Sequence, residues 1–329
     1  MQRRVADEKA RHGGSIHARA KGTVGDFVDR WLDGIESHRR ATTFAQYKFL
    51  IETYVIPHLG RKRLDEVDVD DIGEFYARLR RDHVATSVRA AIGTRLRTIF
   101  ATAVKQRKIP FNPALLIDKP KHLAKETRFL DAQQAARFLV AARGDRLEAF
   151  FTLALTAGLR YGELGGLRWE DIDFDNGFLS VRQQLTEAGG VLSFSLPKTS
   201  SSRRRVELGE LAVEALRRRR EAYEREGHGS ELVFTTEAGQ PLRHSNLRSR
   251  SFQPIAERAG VSVTLHGLRH AMASLMAPSG AKVVQERLGH STVKLTLDRY
   301  SHVLPTLQRE AAEELDQVLT TQIKALEAR

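Results

Sequence analysis

Six side chains after residue 155 are of the types that can act on a phosphate diester: Arg160, Lys198, His266, Arg269, His290 and Tyr300. Two arginines offer planar guanidinium groups that fit two non-bridging phosphate oxygens, a geometry that lysine cannot reproduce. A tyrosine that attacks phosphorus forms a phosphotyrosyl ester, which conserves the bond energy for a later rejoining step without ATP. The set therefore indicates phosphoryl transfer through a covalent intermediate.

These side chains stand in five short motifs. The motifs are Thr156-Ala-Gly-Leu-Arg160-Tyr-Gly-Glu163-Leu, Pro197-Lys198-Thr199, His266-Gly-Leu-Arg269-His270, Leu288-Gly-His290, and Tyr300 within LTLDRYSHV. In content and order they resemble the tyrosine recombinases, the phage-integrase type of DNA strand-exchange enzyme. The resemblance covers the chain from about Thr23 to its end. Each motif alone is a weak signal, but five in order are specific.

The resemblance implies a site-specific recombinase, an integrase that integrates or excises a mobile element. Tyr300 would cleave DNA and hold it as a 3′-phosphotyrosyl intermediate. Arg160 and Arg269 would stabilise the charge of the transition state in the place that a metal takes in other nucleases. Neither a metal nor another cofactor is expected. Strand exchange would pass through a four-way junction in a synapse of four protomers.

The resemblance also assigns the remaining site residues. Lys198 is the expected general acid toward the departing 5′-oxygen, and His266 and His290 are expected to donate hydrogen bonds to the phosphate. Glu163 lies three residues after Arg160, on the same face of a turn, and is expected to orient its guanidinium rather than to touch DNA. His270 is expected in the same supporting role.

Other enzyme classes lack their signatures in this sequence. It contains no phosphate-binding Gly-x-x-x-x-Gly-Lys-Ser/Thr loop, no Gly-x-Gly-x-x-Gly, no His-Glu-x-x-His and no cysteine. His266 and His270 have the spacing of two metal ligands on a helix, but the cation of Arg269 between them opposes metal binding. Two rivals remain open: a type IB topoisomerase, and a DNA-binding relative whose catalytic site is impaired.

The composition indicates a polyanionic partner. Lys and Arg total 53 against 41 Asp and Glu, which gives a net charge of +12, and nucleic acid is the partner this balance favours. The expected partner is double-stranded DNA with attachment or core sites. In the synapse, the chain is expected to form a homotetramer. An accessory DNA-bending or directionality factor is a further candidate. No apolar run approaches the ~20 residues of a membrane span, so a cytoplasmic, nucleoid-associated location is expected.

Helical periodicity and proline content divide the chain. Residues 1–22 are expected to be a flexible arm or the remnant of a further domain, and residues 23–109 an all-α helical bundle that binds core DNA. Residues 110–123, which contain three prolines, are expected to link it to a mixed α+β catalytic domain at 124–329. That domain is predicted to be mostly α, with a small antiparallel sheet and a helix at Pro305–Leu326 that docks on a neighbouring protomer or on its own domain.

The last helix of the predicted bundle carries basic residues outside its apolar stripe: Arg89, Arg95, Arg97 and Lys105. Such a face can neutralise phosphates along a DNA groove. The alternative is a solvated surface with no partner. The four residues are therefore candidate DNA contacts.

The predicted strands lie between the first and second motifs and just after the second. Alternation from Ile172 to Leu185 predicts two strands that turn at Asn176-Gly177. Val191–Leu196 and Arg204–Leu208 are predicted to pair with each other across a basic loop. One departure from the family pattern follows later: Pro278-Ser279-Gly280 replaces what is usually an apolar helix end and a longer turn, and Pro278 must stop or kink the helix that begins near His266. If the loop tightens, His290 still reaches the site, whereas a displaced following helix would impair activity.

Overall fold

Two mostly helical units account for the described residues. The computed structural model describes residues 22–121, 130–197, 203–289 and 292. Residues 22–121 make one unit, and residues 130–289 make most of the other. The expected fold class is confirmed, since a helical unit precedes a mixed unit with small sheets. The domain boundaries stay a prediction, and residues 1–21 and the C-terminal helix lie outside the described residues.

The first unit is a helical bundle. Its helices are α1 (Val24–Glu36), α2 (Ala41–Leu50), α3 (Ile56–Leu59), α4 (Val69–Arg81) and α5 (Thr86–Lys105), with a π-helical turn at Ile51–Val55 joining α2 to α3. Thr23 and Asp26 form a reciprocal capping box at the start of α1, which satisfies two backbone N–H groups that the helix leaves unpaired. The core contains Phe27, Trp31, Phe75 and Phe100.

The chain folds back onto this bundle after α5. Asn112 donates from Nδ2 to the Arg97 carbonyl at 2.9 Å, and Ala114 is fully buried in the core of the bundle. A short 3₁₀ turn covers Pro113–Leu115. The first part of the predicted linker is therefore packed against α5, because the apolar residues of this segment find a place in the same core.

The second unit surrounds one buried helix. Its helices are α6 (Ala132–Ala142), α7 (Glu148–Thr156), α8 (Tyr161–Gly165), α9 (Glu210–Glu226), α10 (His244–Leu247), α11 (Gln253–Arg258), α12 (Leu265–Leu275) and α13 (Ala281–Leu288). Residues 149–155 of α7 are all buried, as expected for a helix that is apolar on every face. Helices α9 and α12 pack against α7. None of the helices in the described ranges combines the length and apolar character that crossing a bilayer requires.

The strands pair differently from the prediction. They are β1 (Ile172–Asp173), β2 (Phe178–Val181), β3 (Gln184–Ala188), β4 (Val191–Ser195) and β5 (Arg204–Glu207). Strand β5 pairs antiparallel with β2, and β4 pairs with β3 in a separate two-stranded sheet, so the predicted pairing of β4 with β5 is wrong. Val206 of β5 lies opposite Leu179 of β2, and both are buried, whereas β4 is largely exposed. Burial of that apolar pair explains the choice of partner.

The proline departure does stop the helix, as expected. Helix α12 ends at Leu275, and a 3₁₀ turn at Ala277–Ser279 follows. Gly280 has φ +95° and lies between this turn and α13. A tight connection therefore replaces the longer turn that the resemblance led us to expect.

Candidate active site

The first motif places Arg160 through a turn that only glycine fits. Gly158 follows the end of α7 with φ +65°, and a Cβ atom there would lie 1.9 Å from Cε of Met272 on α12. Glycine tolerates both the positive φ and the close approach. The turn exposes the Gly158 carbonyl, which accepts a hydrogen bond from Nη1 of Arg269. Helices α7 and α12 are thereby joined through the two arginine motifs.

Arg160 and Arg269 meet at the end of α13. Nη2 of Arg269 donates to the Leu288 carbonyl at 2.6 Å, and Nη1 of Arg160 makes a longer contact of 3.5 Å to the same oxygen. Leu288 opens the Leu-Gly-His motif. Three motifs that are far apart in sequence therefore converge, and the tight turn after α12 leaves α13 docked at the arginine pair.

Glu163 lies behind the two arginines as a buried carboxylate. Its Oε1 accepts from Nη1 of Arg160 at 2.7 Å, and its Oε2 accepts from the Arg160 backbone N–H at 2.9 Å. Oε2 also lies 3.8 Å from Nη1 of Arg269. Glu163 thus contacts the guanidinium of Arg160, as the three-residue spacing suggested.

A third arginine, Arg204, completes the environment of Glu163. Nη1 and Nη2 of Arg204 donate to Oε1 and Oε2 of Glu163 at 3.1 and 3.0 Å, and its Nε donates to the Arg287 carbonyl at 2.6 Å. Sequence reasoning missed this residue because it lies in a basic segment. The signal was present: side chains two apart on a strand share a face, so Arg204 lies on the inward face with Val206, which is buried.

The charges of these four side chains favour an anion. Burial would raise the pKa of Glu163, but the charges and hydrogen bonds of Arg204 and the charges of Arg160 and Arg269 lower it to about 2. One carboxylate therefore faces three guanidiniums, so these four side chains together carry a net charge of +2. The Arg160 side chain is 35% exposed while that of Arg269 is 3% exposed. Arg160 is thus the arginine of this group with the most surface open to a ligand.

Two of the three candidate site histidines, His266 and His270, lie within the described residues, and both are on α12. Thr264 caps this helix by accepting from the Gly267 N–H, which places the exposed His266 in the first turn and the buried His270 one turn later. Their rings meet edge to face with centroids 4.6 Å apart. The described residues contain no cluster of three or more potential metal ligands. Lys198, His290 and Tyr300 lie outside the described residues, so their roles stay predictions.

Comparison with known families decides the class of protein. Residues 128–306 match the model of the phage integrase family, and residues 23–80 match the N-terminal SAM-like domain of phage integrases. The chain belongs to the phage integrase family. It is a tyrosine recombinase, and its activity is site-specific DNA recombination; the topoisomerase and the impaired relative are not favoured.

One relative in sequence and two solved structures are similar to this phage integrase over most of its length. A tyrosine recombinase XerC-like protein of Caldanaerobacter subterraneus subsp. tengcongensis is 29% identical over 324 residues, covering 89% of this chain and 83% of that protein. The Tn1549 transposon integrase bound to a circular intermediate DNA has a TM-score of 0.75 at 23% identity, covering 90% of this chain and all of that one. A lambda integrase tetramer on a Holliday junction has a TM-score of 0.66 at 22% identity, covering 89% and 84%.

The four basic residues expected to contact DNA from the first unit of this integrase have different surroundings. Lys105 is exposed at the end of α5. The guanidinium of Arg95 lies over the Tyr47 ring, 3.8 Å from its centroid, and Nη2 of Arg89 donates to Thr86 at 3.1 Å. Arg97 donates to the carbonyls of Ala114 and Ile117 at 3.0 and 2.8 Å. Contact of these four residues with DNA stays a prediction. Arg97 also holds the chain after α5 in place through its two hydrogen bonds.

Replacing Arg97 with methionine is expected to lower the free energy of unfolding by about 2 kcal/mol, because two hydrogen bonds from a charged donor are lost. The matched variant Lys105→Met removes an exposed charge and is expected to change stability by less than about 0.5 kcal/mol. It should instead flatten the salt dependence of DNA affinity. Urea unfolding and binding titrations at several salt concentrations measure both effects. The distinction is between a structural role for Arg97 and a DNA-binding role for Lys105. It would be contradicted if Arg97→Met kept full stability and flattened the salt dependence of DNA affinity.

The stability of the integrase is expected to fall between about pH 4.5 and pH 2. In the folded chain the pKa of Glu163 is lowered to about 2, against an ordinary value of 4.5. The stabilisation from a lowered carboxylate pKa is complete above the unfolded value and is lost as the pH falls toward the folded one. The lowered pKa of Glu163 alone accounts for roughly 3 kcal/mol of the free energy of unfolding that is lost over this pH range. Urea unfolding from pH 7 to pH 2 measures this loss.

The Glu163→Gln variant is the control for that experiment. It is expected to be less stable at pH 7, because three arginines lose their carboxylate, and to lose less stability on acidification than the unmodified chain. Glu226 has a similarly low pKa, about 2, where hydrogen bonds from Arg219 and Arg146 outweigh burial. Some acid dependence therefore persists in Glu163→Gln. An unchanged slope in this variant would show that Glu163 is not among the titrating groups.

Proposed function

We propose that this integrase integrates or excises a mobile element by cleaving DNA with Tyr300. The observation that carries the proposal is the convergence of Arg160, Arg269 and Glu163 at the end of α13, where Arg204 brings a third guanidinium to the single carboxylate. A phosphodiester anion suits this excess charge, and the Arg160 fork can contact its non-bridging oxygens. Tyr300 follows twelve residues after Leu288, the residue where the arginines meet.

Each step of the proposed reaction breaks one bond to phosphorus and forms another. The Tyr300 oxygen bonds to phosphorus as its hydroxyl proton passes to a neighbouring base, for which His266 and His290 are the candidates. The bond from phosphorus to the 5′-oxygen breaks at the same time, and Lys198 gives that oxygen a proton. His266 and His290 donate hydrogen bonds to the phosphate, and the arginines stabilise its added charge in the transition state. In rejoining, the 5′-hydroxyl of the partner duplex attacks the phosphotyrosyl ester and releases the tyrosine. The reaction conserves the number of phosphodiester bonds, so it consumes no ATP.

The described tyrosines of the second unit support Tyr300 as the nucleophile. Tyr161 adjoins Arg160 in sequence, but its hydroxyl donates to the Leu242 carbonyl. Burial, with the nearby carboxylate of Glu187, raises the pKa of Tyr161 to about 12. The hydroxyl of Tyr223 donates to the Ser230 carbonyl at 2.8 Å. Both hydroxyls are therefore engaged by the fold.

The assembly and location follow from the same reaction. Exchange of four strands between two duplexes needs four active sites, so we propose a homotetramer in the synapse, the state in which lambda integrase was captured on a Holliday junction. Duplex DNA carrying attachment or core sites is the proposed substrate, with a DNA-bending or directionality factor as a candidate accessory. Because the proposed substrate is DNA, we expect the protein in the cytoplasm, on the nucleoid.

Covalent capture from a DNA library tests this function. The unmodified chain and Tyr300→Phe are incubated with sheared DNA of the host and its mobile elements, with and without EDTA. The samples are denatured, and DNA that remains attached to protein is sequenced. We expect adducts from the unmodified chain alone, enriched at one element junction and unaffected by EDTA. Adducts without sequence preference, loss of adducts in EDTA, or binding without any adduct would each overturn the proposal.

A further inference from the structure

Arg204 is linked to the arginine pair through Glu163 and the Arg287 carbonyl. Its side chain is 7% exposed, and it binds both oxygens of Glu163 in a bidentate arrangement. Its third nitrogen donates to the Arg287 carbonyl. Because Nε, Nη1 and Nη2 all point to partners inside the protein, this guanidinium is not placed to bind a DNA phosphate.

The partners of Arg204 belong to segments that build the site. Arg287 precedes Leu288, whose carbonyl accepts from Arg269. The Arg287 guanidinium in turn donates to the Thr156 carbonyl at the end of α7, at 2.9 Å from Nη2. Arg204 therefore lies where α13, the end of α7 and the start of β5 come together around Glu163.

Glu163 has two oxygens to share among three guanidiniums. Arg204 lies about 3 Å from both oxygens, while Arg269 comes no closer than 3.8 Å to Oε2. Without Arg204 the carboxylate would be free to turn fully toward Arg160 and Arg269 and to occupy more of their N–H groups. Those groups are the donors that the phosphate needs.

We propose that Arg204 is a positioning residue for strand cleavage, which holds the Glu163 carboxylate so that Arg160 and Arg269 stay directed toward the scissile phosphate. This inference rests on the proposed function of the site. It assigns Arg204 no contact with DNA. Its effect is on the rate of the chemical step, because donors displaced by a fraction of an ångström lose much of their stabilisation of the transition state.

The test compares Arg204→Met, Arg204→Lys and the neighbouring control Arg205→Met. Arg205 lies on the same strand, but its side chain is 55% exposed and pairs with Glu207. We expect Arg204→Met to lower the single-turnover cleavage rate by about 100-fold with DNA affinity within about threefold. Arg204→Lys keeps the charge but lacks the planar guanidinium, so it should cleave about tenfold faster than Arg204→Met. Arg205→Met should cleave within about threefold of the unmodified chain.

A double-mutant cycle with Glu163→Gln separates positioning from general destabilisation. If Arg204 acts through Glu163, the Arg204→Met/Glu163→Gln double variant should cleave no more slowly than the slower single variant. Independent roles would instead make the loss in the double variant the product of the two single losses, and that result would overturn the proposal. Thermal melts confirm that each variant is folded at the assay temperature. If Arg204→Met is not, the same cycle is run with Arg204→Lys.

The outcomes also separate this inference from the proposed function. Absence of cleavage by the unmodified chain contradicts the function itself. Cleavage by the unmodified chain together with an unchanged rate in folded Arg204→Met contradicts only the role of Arg204. An equal loss of DNA affinity and of rate would assign Arg204 to binding, which also overturns the inference.

Discussion

Tyr300→Phe is expected to abolish strand cleavage while DNA affinity stays within about twofold of that of the unmodified chain. The substitution removes one oxygen, the atom proposed to bond to phosphorus, and no other described group supplies an equivalent nucleophile at the arginine pair. The cleavage rate should fall by at least about four orders of magnitude. A nicked substrate, whose cleavage releases a short fragment and traps the adduct, measures the rate on a denaturing gel.

Tyr161→Phe is the matched control for this prediction. It removes the same atom from a tyrosine whose hydroxyl donates to the Leu242 carbonyl, so it should cost about 1 kcal/mol of stability and leave cleavage nearly unchanged. Residual cleavage in Tyr300→Phe together with a loss in Tyr161→Phe would reverse the assignment. Equal losses in both variants, with both folded, would mean that neither hydroxyl is the nucleophile.

Arg269→Ala is expected to slow cleavage by about three orders of magnitude or more. The guanidinium lies at the meeting point of the Gly158 and Leu288 carbonyls, so its loss removes a cation from the phosphate site and one of the links between α13 and the end of α7. Removal of one preorganised donor from such a site typically costs 10²–10³ in rate, and the structural displacement adds to this. Arg269→Lys should be nearly as impaired, because lysine cannot bridge two carbonyl groups and a phosphate.

Arg219 offers a control with the same burial but no part in the site. Counted over the whole residue, Arg219 is 3% exposed and Arg269 is 2% exposed. Arg219 binds both oxygens of Glu226. Arg219→Lys should lower the melting temperature while cleavage per folded molecule is retained. Single-turnover rates below the melting temperature of every variant provide the comparison. If both substitutions slowed cleavage equally, the loss in the Arg269 variants would be one of general stability.

Local sequence signals were sufficient for the ends of two helices. Thr23 and Asp26 form the capping box at the start of α1, and Pro278 ends α12 as expected of a residue that cannot continue a helix. Residue type and motif order were also enough to select Arg160, Glu163 and Arg269, which the fold brings together. These features depend on short stretches of chain or on side-chain chemistry alone.

Contacts between distant segments were harder to foresee. Strand β5 was paired with its sequence neighbour β4, but the buried match of Val206 with Leu179 places it beside β2. Arg204 was predicted to begin a strand but was counted only among the basic residues beside Lys198, whereas its position on β5 directs it to Glu163. Arg97 was grouped with the DNA contacts, and its bonds to the Ala114 and Ile117 carbonyls depend on a chain reversal that periodicity does not show.

Identification of the attachment residue tests the central claim most directly. The adduct trapped on a nicked substrate is digested with nuclease and protease, and the peptide carrying the remaining nucleotide is sequenced by mass spectrometry. The account predicts a nucleotide joined through its 3′-phosphate to Tyr300. A nucleotide on any other residue, or a cut strand with a free 3′ end and no attached peptide, would contradict it.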